Sequence, residues 1–120
     1  MKKLIMETLP DTDEKRAESE VWMAFTAQAL TDPSLKELAH KVYGHLRYMF
    51  EHVITQLSSL GYMSGDLDIE IEIQRLYALV DGLVLHAVLN PESYPASRLE
   101  AVIDYHLRSL CPNSPDSLAK

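Results

Sequence analysis

Five histidines, one cysteine and eighteen carboxylates are the side chains in this 120-residue sequence from which a reactive site would be built. His45 and His52 lie seven apart, two helical turns on one face, whereas two ligands gripping one ion sit at i and i+4. No acid joins them at a suitable spacing. Glu37-Leu38-Ala39-His40 is the single E-x-x-H pair, and a carboxylate-bridged metal bundle needs one on each of two helices. Cys111 stands alone, so neither an intrachain disulfide nor a CxxC metal site is available. Glu70 and Glu72 are two apart and face different sides of a helix. No nucleophile–base pair and no Gly-rich phosphate loop occurs. The sequence calls for no metal and no cofactor, and it reads as a protein that is not an enzyme.

Charge narrows the binding classes. Eighteen acids against eleven bases leave a formal charge of −7. Nucleic-acid binders cluster Lys and Arg to displace counterions from phosphates, so this chain is not expected to bind DNA by itself. The most apolar stretch, Leu76–Leu89, is broken by Asp81 and His86, and a membrane span needs about 18 uninterrupted apolar residues. The opening run Leu4-Ile5-Met6 is far shorter than the ~7–15 apolar residues of a signal peptide. A soluble, cytoplasmic chain of one domain is expected, with no membrane partner.

The elements that must position any site are helices. Eighteen leucines stand against seven valines and six isoleucines, with only four glycines, which favours helix over strand. Prolines punctuate five helical segments. The first covers about Lys2–Leu9 and ends at Pro10. The second covers about Thr12–Leu30, with Asp11 and Glu14 at capping-box spacing. Apolar residues on two of its faces predict a central helix packed from both sides. The third opens with Asp32 as N-cap and Pro33 as first residue, carries an apolar stripe from Leu35 to Leu60, and stops at Gly61, with Tyr62 placed to pack back on Leu57. At 1.5 Å per residue it is about 40 Å long and spans the fold. The fourth, Asp68–Leu89, contains Leu67-Asp68-Ile69-Glu70-Ile71-Glu72-Ile73, an alternation that in isolation reads as a strand. No second strand is available to pair with it, so it too is read as helix, capped by Asp68 and stopped by Asn90-Pro91. The fifth covers about Pro95–Leu110. The fold class is all-α, a five-helix bundle over residues 1–111, followed by a flexible polar tail over 112–120.

Two sets of residues stand out on these helices. From Leu76 to Leu89 the fourth helix is apolar nearly all round, and the surplus points to a partner outside the chain. Leu76, Leu79, Val80, Leu83 and Ala87, with Leu99, Val102, Ile103, His106, Leu107 and Leu110 on the fifth helix, form half of a four-helix interface that a second copy would close into a homodimer. Asp81 is expected to bond a neighbouring helix terminus or the partner chain, and Gly82 to let two helices approach closely. The other set is a candidate ligand pocket between the second, third and fourth helices: Trp22, Phe25, Thr26, Arg47, Met49, Phe50, Tyr77 and His86. Ligand sites are mainly apolar with a few polar anchors. Thr26, Gln28, Arg47 and His86 stand on otherwise apolar faces, where burial requires a partner.

The segment Glu14-Lys15-Arg16-Ala17-Glu18-Ser19-Glu20-Val21-Trp22-Met23-Ala24-Phe25 resembles a stretch of TetR-type transcriptional regulators, in the branch that includes the choline/betaine-pathway repressors. Leu30-Thr31-Asp32-Pro33, Leu76-Tyr77-Ala78-Leu79-Val80-Asp81-Gly82-Leu83 and Leu89-Asn90-Pro91-Glu92 followed by Pro95 are similar to further stretches of that branch, in the same order. The resemblance covers about residues 7–111. It implies a C-terminal regulatory domain that binds a small-molecule effector between helices and dimerises, shifting the third and fourth helices and so the spacing of DNA-binding headpieces. No basic recognition-helix segment precedes residue 1, so DNA is expected to be a partner only through a headpiece absent from this chain, whether removed or naturally missing. The alternative from another class is a stand-alone helical protein–protein interaction module without a small ligand.

Overall fold

In the computed structural model, which describes residues 2–115, the element order is α1 (Lys2–Met6), α2 (Asp13–Ala29), α3 (Pro33–Ser59), α4 (Ile69–Leu89) and α5 (Ala96–Leu110), with no strand among the described residues. The all-α reading holds, including the stretch that alternates with period two. Residues 69–73 continue as the first turns of α4, and the Asp68 carboxylate accepts from the Ile71 amide as N-cap. A side-chain cap and the absence of a pairing strand outweigh the local strand pattern.

Local signals also set most of the other boundaries. Asp32 caps α3 through the Ser34 amide at 3.0 Å, with Pro33 in the first turn. Gly61 takes φ +75°, a left-handed conformation that glycine adopts without steric penalty. Around it the Gly61 amide donates to the Ser58 carbonyl at 3.0 Å and the Tyr62 amide to the Leu57 carbonyl at 3.1 Å, the paired bonds of a Schellman stop. Two expectations shift. α1 ends at Met6 rather than Leu9, and residues 7–9 form turns that bury Leu9 and Pro10. The N-cap of α2 is Thr12, not Asp11, its hydroxyl accepting from the Lys15 amide at 3.1 Å.

The core is concentrated at one end of the molecule. Phe50, Val53, Ile54 and Leu57, all in the second half of α3, meet Leu76, Val80 and Leu83 of α4 and Leu99, Ile103, Leu107 and Leu110 of α5. Ile5, Leu9 and Met63 close it. Lys2 Nζ ties α1 to α5 through Glu100 at 2.8 Å and Asp104 at 3.1 Å. Along α2 only Ala29 is buried, and Val21 is 71% exposed. The expected central helix is therefore an outer one. Its face around Ala17, Val21 and Ala24 meets solvent, because only the Trp22–Phe25 side turns toward α3 and α4. Residues 112–115 are turns and irregular backbone, and the Asn113 amide donates to the Tyr62 carbonyl at 3.2 Å. The remainder of the expected tail lies outside the described residues.

Candidate functional site

α2 crosses the first half of α3 and the middle of α4 without filling the space between them. A hollow of about 830 Å³ remains there, walled by Trp22, Met23 and Thr26 of α2, by Ala39 and Tyr43 of α3, and by Tyr77, Asp81 and Val84 of α4. Lys36 and His40 also border it and are exposed. A second hollow, about 340 Å³, opens toward the turn after α1 and is bordered by Glu18, Leu46, Phe50 and Val80 among others. Trp22, Tyr77, Asp81 and Val84 belong to both walls. The two spaces thus meet along a seam formed by one residue of α2 and one face of α4, where Tyr77, Asp81 and Val84 fall at helical spacing.

Aromatic rings organise the seam. Tyr77 is stacked on Tyr43 with centroids 4.8 Å apart and tilted against Phe50 at 4.9 Å. Trp22 lies 5.5 Å from Phe25. Such pairs add about 0.5–1.5 kcal/mol beyond their buried area, so Tyr77 is fixed from both sides. Burial, followed by the nearby Asp81 charge and Tyr43, pushes the Tyr77 hydroxyl up to about 12. It stays protonated and neutral at physiological pH, able to donate one hydrogen bond. Asp81 still reaches solvent, yet burial raises its carboxyl above the usual range. Among the described residues it makes no hydrogen bond and no ion pair. Its carboxylate stands at the rim of the cleft, where water solvates it.

Of the eight pocket residues named from sequence, the structure brings four together. Trp22, Thr26 and Tyr77 border the larger hollow, and Phe50 borders the smaller one. The Thr26 hydroxyl donates to the Trp22 carbonyl at 2.9 Å, so helix backbone already meets its hydrogen-bonding need. Phe25 stands beside Trp22 without bordering either space, and Met49 packs against the core. Arg47 is a correction. It pairs with Glu51 at 3.3 Å and closely with Glu70, which takes its charge away from the cleft. His86 is another, exposed and stacked on Tyr94 at 5.7 Å. Gln28 is exposed as well. Tyr43 and Asp81 are the residues that sequence reasoning missed. The acid's position inside an apolar run was their one visible signal, and within the single chain it borders both hollows.

The residues offered as a dimer face also redistribute. Leu76, Val80, Leu83, Ala87, Leu99, Ile103, Leu107 and Leu110 are buried inside the single chain, so they are not surplus surface. α1 and the second half of α3 cover them. Leu79, Val102 and His106 remain partly exposed. The stripe of α4 that faces outward is instead Ile71, Ala78, Leu79, Gly82 and Leu89, and on α5 it is Ala101, Val102 and Tyr105. A Cβ on Gly82 would meet nothing within 4 Å, so no contact inside the chain demands glycine there.

Against this geometry, residues 1–112 match the sequence model of the BetI-type transcriptional repressor C-terminal family. The chain is a TetR-type C-terminal regulatory domain. The domain is also 36% identical over 109 residues to the HTH-type transcriptional regulator PksA of Bacillus subtilis (strain 168), covering 90% of this chain and 51% of that protein. It therefore spans about half the length of the curated relative it matches. No solved structure matches. The family is one of transcriptional regulators and not of enzymes. Among the described residues, no helix of this TetR-type domain is long and apolar enough to cross a membrane.

Proposed function

We propose that this domain is the sensory and dimerising part of a TetR-type regulator, binding a small-molecule effector in the cleft between α2, α3 and α4. The observation that carries the reading is the pair of hollows meeting at Trp22, Tyr77 and Asp81. Ligand cavities of roughly 300–1,000 Å³ with apolar walls and a few polar groups are the usual form of such sites, and three separate helices contribute to this one. A ligand filling it would press α2 away from α4 or draw the two together. Because α2 has a single buried residue, it is the element that moves at least cost.

Dimerisation is assigned to the outward stripes of α4 and α5. Ile71 and Leu89 on α4 and Tyr105 on α5 are more than half exposed, and Ala78 and Gly82 between them would allow close approach of a symmetric copy. DNA contact is assigned to another part of the regulator, since the domain carries −7. A diverse small-molecule library screened by Trp22 fluorescence and melting temperature tests the sensory role. Ligands that move both signals support it, and a library that moves neither leaves the cleft without a function.

A further inference from the structure

Resting on the reading of the outward α4 and α5 stripes as a dimer face, we infer that protonation of His106 gates the pairing: chains with a neutral imidazole associate, and chains with an imidazolium separate. The ring lies half-buried between α5 and α4, one turn along α5 from Val102 and beside Tyr105. Its Nε2 is enclosed and has no hydrogen-bond partner. A neutral ring leaves only a lone pair there, whereas an imidazolium carries an N–H on both nitrogens. One of those N–H groups would be enclosed without an acceptor. Among the described residues, the charged groups acting on the ring both come from α4. Arg75 repels a positive ring. Glu72, the one attracting carboxylate, is buried and already held by Arg75, whose Nη1 lies 3.0 Å from Oε1 and 3.1 Å from Oε2. Glu100 and Asp104 on α5 itself turn to α1 and pair with Lys2, and no charged group of α1 or α3 acts on the ring. Burial first, and Arg75 second, accordingly hold the imidazole below the ordinary histidine range.

The charge of the face acts in the same direction. A two-fold dimer sets the same patch of both copies against each other, so the charges of this patch meet their own kind. Arg75 stands in the α4 stripe between Ile71 and Leu79, Arg98 and Arg108 lie within two turns of Tyr105 on α5, and all three are exposed. Neither Arg98 nor Arg108 has an ion pair among the described residues. Every carboxylate of the two helices is committed elsewhere: Glu70 to Arg47, Glu72 to Arg75, Asp81 to the cleft, Glu100 and Asp104 to Lys2. Exposed apolar residues such as Ile71, Leu89 and Tyr105 supply the attraction. An imidazolium would add a further positive charge per copy to a face that has no free negative charge to answer it, and pairing would bury that charge more deeply.

Sedimentation equilibrium on the intact 120-residue chain at about pH 7.5 and about pH 5.5, with far-ultraviolet circular dichroism alongside, tests the gate. The dimer dissociation constant is expected to rise about tenfold on acidification while the helical signal is kept, since two imidazoles titrate per dimer. His106→Gln, and independently His106→Leu, should hold the constant unchanged between the two pH values. His86→Gln, which alters the other histidine of these helices, should keep the full response. Dissociation that persists in both His106 variants would overturn the gate, as would loss of helix in step with dissociation. A dimer equally tight at both pH values would overturn it and leave the dimer face standing. A tighter dimer in acid would overturn it by placing the imidazolium on Glu72, whose Oε1 accepts no hydrogen bond. A chain that is monomeric at both would remove the gate together with the dimer reading on which it rests.

Discussion

The two ends of this domain are built to different standards. At one end the second half of α3, with α4, α5 and the turn after α1, packs Phe50, Ile54, Leu57, Leu76, Leu99 and Ile103 to essentially zero exposure. At the other, α2 and the first half of α3 contribute one buried residue, Ala29, and leave a cleft against α4 instead of a core. The contrast separates scaffold from sensor. A filled core resists change, because each removed methylene opens a void, whereas a partly empty layer is where ligands and low-cost motions belong. α4 serves both ends, with Leu76, Val80 and Leu83 in the core and Tyr77, Asp81 and Val84 on the cleft.

Truncations at the two ends should therefore diverge, and the largest effect is expected in the core. Ile54→Ala or Leu99→Ala should cost about 2–5 kcal/mol, read as a lowered melting temperature or denaturant midpoint. Val21→Ala on the open face should stay within about 0.5 kcal/mol. Equal losses at both ends would abolish the distinction. The same contrast sharpens the dimer face. Leu83→Glu and Ile103→Glu bury a charge and should unfold the chain, but Leu79→Glu and Tyr105→Glu lie on the outward stripes and should give folded monomers by sedimentation. Folded monomers from Leu83→Glu would show that the core assignment is wrong.

Smaller and more diagnostic are the opposite pH responses of the two ends. Burial, then the Arg75 charge, lowers His106 at the α4–α5 junction, with Glu72 opposing. The imidazole is neutral when folded, so its contribution is complete above the ordinary histidine range near 6.5 and is lost as pH falls below it. His106→Gln should flatten that slope. Asp81 has the reverse sign. Its raised carboxyl binds protons more readily folded than unfolded, so its penalty disappears as pH falls through the folded value toward 3.8. Asp81→Asn should accordingly leave neutral-pH stability unchanged or slightly higher. That is the smallest stability effect expected here. A clear loss of stability would make Asp81 a structural residue.

Much of this was legible in the chain, for reasons that differ by element. Helix ends governed by single residues read correctly, as at Asp32, Gly61 and Asp68, because capping is local chemistry. The family was legible from the order of short stretches such as Leu30-Thr31-Asp32-Pro33. Which apolar face meets which neighbour was less legible. Leu83 and Ile103 looked like surplus surface because periodicity records that a face is apolar without recording what covers it, and α1 with the second half of α3 covers it here. Val21 looked like core for the same reason. Arg47 and His86 looked like anchors, but Glu70 and Tyr94, distant or unremarkable in sequence, claim them. Tyr43 was overlooked because stacking against Tyr77 across two helices leaves no trace in spacing.

Trp22 is the one tryptophan, so the domain has a single indole N–H resonance, placed on the seam of the cleft. Titrating the uniformly ¹⁵N-labelled chain with a ligand recovered from the Trp22 fluorescence screen and following that resonance with the backbone amides tests the division into scaffold and sensor most directly. The account predicts that the indole and the amides around Tyr43 and from Tyr77 to Leu85 move together and saturate, while those of α5 stay in place. Shifts centred on α5 or on the outward stripe of α4, with the indole unmoved, would contradict it.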